Sequence, residues 1–163
     1  MTMTSATTPA LRWQLASFAE LSTGELYALL ALREAVFVVE QRCAYQELDG
    51  LDQDALHLVA WEGAQVAACL RLLAPGVKRP GPVIGRVLTR ADLRGHGLGG
   101  ELMRRGLAEA ARRWPGQPVH ISAQAHLQGF YGALGFATIS DPYDEDGIPH
   151  VGMRCDSPAL TTV

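Results

Sequence analysis

The stretch Val83-Ile84-Gly85-Arg86-Val87-Leu88-Thr89 followed, after Arg90–Leu93, by Arg94-Gly95-His96-Gly97-Leu98-Gly99-Gly100 decides the fold. The first half reads as a strand. The second half holds four glycines in the six residues Gly95–Gly100 and leads into Glu101–Trp114. There Met103, Leu107, Ala111 and Trp114 recur on one side at helical spacing, and Pro115-Gly116 stops the helix. A strand, a glycine turn and a helix in this order form a site for phosphate. Gly97 and Gly99 carry no side chain, so backbone N–H groups can approach phosphate oxygens. The helix starting near Leu98 adds the positive end of its dipole, and Arg94 and His96 supplement it from their side chains.

Three phosphate fingerprints compete for this turn. A Walker-type loop needs Lys and Ser or Thr after its last glycine, and here Gly100 and Glu101 follow. Gly95, Gly97 and Gly100 satisfy the spacing of a dinucleotide turn. That turn should follow its strand at once and have an acid about 20 residues on for the ribose. Here Arg90–Arg94 intervene, and the region near His120 has no acid. The third reading, Arg-x-x-Gly-x-Gly at a helix start, suits the pyrophosphate of a CoA thioester. A bare turn without a ligand is the remaining alternative.

Working outward, a strand is expected at Arg12–Ala16, and Ser22 to Glu25 offers a capping box for a helix running to Val36–Phe37. His57–Trp61 and Gln65–Leu73 read as a hairpin across Glu62-Gly63-Ala64, and Pro75–Pro82 as a loop. After the long helix come a strand at Val119–Ala123, a short helix at Ala125–Leu134, and strands at Phe136–Ser140 and Val151–Cys155. The order is a helix, an antiparallel group, then a strand–helix–strand crossover. It predicts an α+β sandwich around one central mixed sheet. One domain over residues 11–155 is expected, with frayed tails at 1–10 and 156–163.

Composition narrows the function. The chain has 163 residues and a formal charge of -3, with no basic footprint for nucleic acid and no run long enough to span a membrane. The first ten residues do not read as a signal peptide, so a cytoplasmic setting is expected. Cys43, Cys69 and Cys155 form no CxxC pair, which argues against zinc and a disulfide framework.

Arg86-Val87-Leu88-Thr89 with Arg94-Gly95-His96-Gly97-Leu98-Gly99 resembles the acetyl-CoA motif of the GNAT N-acetyltransferases. Further segments resemble its ElaA-like branch: Leu32–Gln41, Ile84–Val87, Gln124–Gln128 and Glu145–His150. The resemblance spans about residues 12–155. It implies a three-layer GNAT-like fold with a mostly antiparallel mixed sheet flanked by helices. It also implies acetyl-CoA as co-substrate without a metal, and a small-molecule or peptide amine as acceptor. Val87, Leu88 and Thr89 would line pantetheine in a gap between splayed strands. Arg94, Gly95, His96, Gly97, Leu98, Gly99 and Gly100 would hold pyrophosphate, and a backbone N–H near Leu88 would face the thioester carbonyl. Gln124 stands where the family carries Asn on the pantetheine arm. Tyr131, in Phe130–Phe136, matches the family's Tyr-x-x-x-Gly-Phe pattern, whose phenol points at the CoA sulfur. Oligomeric state is unreadable, and a homodimer stays open.

Direct transfer to an amine also needs a base, because a lysine-type ammonium titrates near ~10.4 and has no lone pair. Glu40, after an apolar helix stripe, and His126, five residues before Tyr131, are the candidates; each has an ordinary structural reading beside it. His150 and the four carboxylates of Asp141–Asp146 are candidates for recognising the acceptor. Arg33, Arg71 and Arg86 form a second constellation. Arg71 and Arg86 interrupt apolar strands, where a guanidinium must be paired or line a cleft. They either pair with Glu40 or Glu47 or bind the acceptor. Two further readings are a CoA-binding sensor without transfer activity and, from Arg33-x-x-x-Phe37, acyl-homoserine lactone synthesis.

Overall fold

The computed structural model describes residues 10–158, so most of the two expected tails lies outside the described residues. The chain begins with strand β1 (Arg12–Ser17) and helix α1 (Thr23–Glu34). Ser22 and Glu25 exchange backbone and side-chain hydrogen bonds at 2.9 and 3.1 Å, the capping box expected from the sequence. The expected helix then widens into a π-helical turn over Ala35–Glu40. Strands β2 (Ala55–Glu62) and β3 (Gln65–Leu73) form the hairpin, turning at Gly63 with φ +59°. Strand β4 (Val83–Thr89), helix α2 (Leu98–Arg113) and strand β5 (Val119–Gln124) form the parallel crossover.

The final third departs most from the expected elements. Helix α3 covers only Gln128–Gly132, after a single 3-10 turn at Ala125–Leu127. Strand β6 is only Ala137–Thr138, and the acidic stretch read as a loop contains strand β7 (Tyr143–Glu145). This strand pairs with β8 (Ile148–Cys155) across Asp146 and Gly147, whose φ values are +54° and +82°. Two successive left-handed residues make the tight turn that an Asp-Gly pair favours. The signal lay in Asp146-Gly147, but the acidic composition masked it.

The strands run β1-β2-β3-β4-β5-β8-β6 across one sheet, with β7 also on β8, and every pairing is antiparallel except β4 with β5. Helix α1 and the π-helical turn after it cover one face through Leu29 and Val36 against Val59, Cys69 and Leu88. Helices α2 and α3 cover the other through Leu102, Met103, Leu107 and Tyr131 against Leu70, Ile84, Ile121 and Met153. The molecule is therefore a three-layer α+β sandwich, as expected. Strand β3 is covered on both sides and reads as an apolar run, whose one charged residue, Arg71, is 2% exposed. Gly106 permits close packing of α2 on β3: a Cβ there would lie 2.7 Å from Leu70. Among the described residues no helix is long and apolar enough to cross a membrane.

Two irregularities open the sheet. The β4–β5 ladder holds at Val83 opposite His120, whose N–H donates to Pro82 C=O at 3.1 Å. Beyond that pair the strands part. Strand β4 also bulges: Cys69 faces Leu88 and Arg71 faces Gly85, one residue out of step, and Arg86 takes φ +50°. A bulge with a left-handed non-glycine residue re-aims the strand after it.

Candidate functional site

A cavity of about 860 Å³ follows this parting from the start of α2 to the β7–β8 hairpin. At one end, Gly95 and Gly97 adopt φ +84° and +81°, and Gly97 caps α2 with no side-chain hydrogen bond. The first-turn N–H groups of α2 therefore face outward with the helix dipole behind them, an arrangement suited to an anion. Arg94, Gly95, Gly97, Leu98, Gly99 and Gly100 line the cavity here; His96 is exposed and does not. Arg94 donates to Thr89 C=O at 3.0 Å and to both oxygens of Glu40 at 2.6 and 2.7 Å. That hydrogen bonding holds the Glu40 carboxyl below its ordinary range. The π-helical turn thus places Glu40 beside the glycine turn, where its carboxylate is paired with the Arg94 guanidinium.

Val87, Leu88 and Thr89 line the middle of the cavity. Arg90 N–H donates to Ala67 C=O at 2.8 Å, and Leu88 is paired with Cys69 two residues back. Strand alternation therefore turns the Leu88 backbone toward β3 and the Val87 and Thr89 backbone groups toward the gap. The open donors expected near Leu88 belong to these two neighbours. Tyr131 reaches the same region from the α2 side, packed edge-on against Phe130 and Phe136 at 5.0 and 5.9 Å. Burial pushes its phenol up to about 12, so it stays a hydrogen-bond donor at any ordinary pH. His126 and Gln124 also line the cavity, His126 exposed and Gln124 half-buried.

The three arginines form a closed ring of ions with the loop before β2. Arg33 binds Glu47 and Asp52 at 2.9 and 2.7 Å, and Arg71 binds Asp52 and Asp49 at 3.2 and 2.8 Å. Arg86 binds Glu47 at 2.5 Å and Asp49 at 3.4 Å, which closes the cycle. Three guanidinium groups meet three carboxylates, so the ring carries no net charge. Burial alone would raise Asp49 and Asp52; hydrogen bonds from Arg71 and Arg33 outweigh it and hold both well below the usual range. His57, buried in β2, donates to Asp52 C=O at 2.9 Å and fixes the loop from beneath. Arg33 is 1% exposed and does not line the cavity, a correction to its expected contact with the acceptor. Arg71 and Arg86 do line it, but with their charges matched. Asp49 and Asp52 were not singled out by sequence, because their partners lie 19 to 37 residues away.

The far wall is the β7–β8 hairpin. His150 is buried, lines the cavity, and its Nδ1 meets Ile148 C=O at 2.7 Å while its Nε2 lies 3.2 Å from Glu145. The hairpin turn is tied to the loop after α1 by Cys43, whose thiol donates to Asp146 C=O at 3.0 Å. Burial raises all three thiols, Cys69 to about 12, so none is an activated nucleophile. Among the described residues no group of His, Cys, Asp or Glu is arranged to hold a metal.

A strand parting beside a glycine cradle is the arrangement that the GNAT resemblance implied, and comparison with known proteins agrees. Residues 18–157 match the family model described as an acetyltransferase (GNAT) domain. The chain belongs to the GNAT acetyltransferase family. It is 46% identical over 145 residues to protein ElaA of Escherichia coli K12, covering 88% of this chain and 95% of that one. The crystal structure of E. coli ElaA superposes with a TM-score of 0.84 at 44% identity, over 89% of this chain and 99% of ElaA. An acyl-CoA N-acyltransferase from Pseudomonas aeruginosa gives the same TM-score at 53% identity and the same coverage. This GNAT protein is ElaA-like and an acyltransferase of the acyl-CoA-using type.

Proposed function

We propose that this GNAT protein transfers the acetyl group of acetyl-CoA directly to an amine of a small molecule or peptide. The observation that carries the reading is the parting of β4 from β5 beside the side-chain-free start of α2. Together they supply a cradle for pyrophosphate and an open strand edge for a pantetheine arm. Acetyl-CoA brings the activated acyl group; the chain's residues do the rest. The Val87 and Thr89 backbone N–H groups polarise the carbonyl, and Tyr131 donates a hydrogen bond to the sulfur as charge develops there. A proton from a phenol near 12 does not pass downhill to a thiolate, which titrates near ~8.5. Stabilisation of the leaving sulfur by hydrogen bonding is therefore the role of Tyr131; the ammonium gives one proton to solvent before attack and the nitrogen a second as the amide forms, and the CoA thiolate is protonated from solvent.

Burial raises the thiols of Cys43, Cys69 and Cys155, which argues against an acyl-cysteine route and supports attack by the acceptor itself. Three free buried cysteines also suit a reducing cytoplasmic setting. Titration calorimetry with acetyl-CoA tests the reading. Binding in the micromolar range is expected, and no heat up to tens of micromolar would overturn it. Release of CoA thiol across a panel of amines separates transfer from a sensor that only binds.

A further inference from the structure

The sheet divides the cavity into two sides. Ile121 and Ala123 of β5 point into the core beneath α2, as do Val151 and Met153 of β8. Alternation turns Ser122 and Gln124 to the opposite side, together with His150, which pairs with Gln124. Ser122 lies two residues past the last β4–β5 pair, at the mouth of the gap. Tyr131 approaches from the α2 side, so an acceptor arriving on the other side meets Ser122, His150 and the hairpin first.

These residues converge on one carboxylate. Ser122 Oγ donates to Glu145 Oε2 at 3.0 Å and also hydrogen-bonds the Tyr143 hydroxyl. His150 Nε2 lies 3.2 Å from the same oxygen, and the Tyr143 ring stacks on the imidazole at 6.2 Å. Since Ile148 C=O can only accept, His150 Nδ1 is the donor there, which fixes the ring's orientation. Ser122 thus holds Oε2 of Glu145, and with the ring's proton on Nδ1, His150 Nε2 stands beside it as a second acceptor. Oε1 of Glu145 takes part in no hydrogen bond among the described residues, and the side chain, 45% exposed, lines the cavity. The arginines nearby are neutralised within their ring, and Lys78, which also lines the cavity, makes no ion pair with Glu145 or Asp146. A held carboxylate with one free oxygen and no cationic partner for it is the complement of an ammonium.

The geometry points to Glu145 as the seat of the acceptor's ammonium group, with Ser122 as its positioning residue and His150 Nε2 as a second acceptor for the ammonium. The inference rests on the CoA reading above, because it is the thioester that puts the acceptor at this mouth.

Two non-reactive thioethers of CoA test it without knowledge of the natural acceptor: S-(2-aminoethyl)-CoA and S-propyl-CoA. They differ only by an ammonium in place of a methyl group, three bonds from the sulfur. In calorimetry at neutral pH the full chain is expected to bind the aminoethyl compound at least about tenfold more tightly. Glu145→Gln brings the two to parity while plain CoA stays within about twofold. Ser122→Ala, which removes one hold on the carboxylate, narrows the preference without abolishing it. Asp141→Asn, an exposed acid nearby, leaves it intact. Equal binding of the two thioethers by the native chain overturns the inference, as does a preference that survives Glu145→Gln. Failure of CoA itself to bind is a different result, and counts against the CoA reading.

Discussion

Replacing Arg33 with Met removes one of three cations from the ring while keeping most of the side chain's volume. Arg33 is 1% exposed and makes four hydrogen bonds, two to Glu47 and two to Asp52. Those carboxylates stay buried, at 7% and 5% exposure, and the ring acquires a net charge of minus one. Removing one member of a buried ion pair costs about 3–5 kcal/mol, most of it from the partner left without compensation. For a domain of this size the melting temperature falls by about 6–20 °C. The loss depends on pH in a definite direction. Asp49 and Asp52 titrate lower in the folded protein than in the unfolded chain, where an Asp sits near ~3.9. In the native chain their stabilisation is present above that value and is lost as pH falls through the folded-state titration. In the variant Asp52 has lost its main partner and titrates higher, so protonation relieves the buried charge sooner. The difference between native and variant stability is therefore larger at about pH 7 than at about pH 4.5. Urea denaturation at both values measures it. A companion Arg33→Met/Glu47→Gln chain restores neutrality and should recover part of the loss. A difference below about 1 kcal/mol at pH 7, or one that does not change with pH, refutes the account of the ring.

Glu40→Gln releases the Arg94 guanidinium for phosphate. Because the pair is exposed, CoA affinity should rise only about two- to fivefold, with pantetheine unchanged in competition binding; a fall in CoA affinity would contradict this. Tyr131→Phe should lower acetyl transfer to any accepted amine roughly 100-fold while leaving CoA binding within about twofold. With the phenol pushed up to about 12, native rate–pH profiles should show no loss from its ionisation below about pH 10, and an alkaline limb removed by the Phe variant would count against that. Gly97→Ala forces a Cβ into φ +81° and should cost about 1 kcal/mol in urea denaturation, with weaker CoA binding; unchanged stability would mean the turn relaxes.

The donor half of the site was legible because it is built locally. Strand Val83–Thr89, the glycine turn and the start of α2 are contiguous in sequence, and their periodicities and breakers state their geometry directly. The capping box at Ser22 and the Asp146-Gly147 turn are local in the same way, although the acidic residues around the latter hid a strand. The ion ring and the β7–β8 hairpin were not legible because their contacts join distant positions. Ser122 meets Glu145 across 23 residues, Arg33 meets Asp52 across 19 and Cys43 meets Asp146 across 103. No spacing rule links such pairs, so the sequence offered the residues without the pairing. Glu40 shows the converse: its helical stripe pointed correctly to a helix end, but the π-helical turn swings it to Arg94 at the cradle.

The ion ring and the bulge in strand β4 share one residue, Arg86. Arg86 holds a left-handed conformation that costs a non-glycine residue about 1–2 kcal/mol, and it lies directly before Val87. Its guanidinium is held by Glu47 and Asp49 of the loop before β2, and it lies over the Tyr45 ring at 5.6 Å. Glu47 is in turn fixed by Arg33 from α1, and Asp49 by Arg71 from β3. The bulge in β4 and the loop before β2 are thus tied by the same ion pairs, each carboxylate bridging two arginines. Two buried guanidinium groups and the half-buried Arg86 are matched in charge in this way, and they join α1, β3 and the bulge of β4 to one loop.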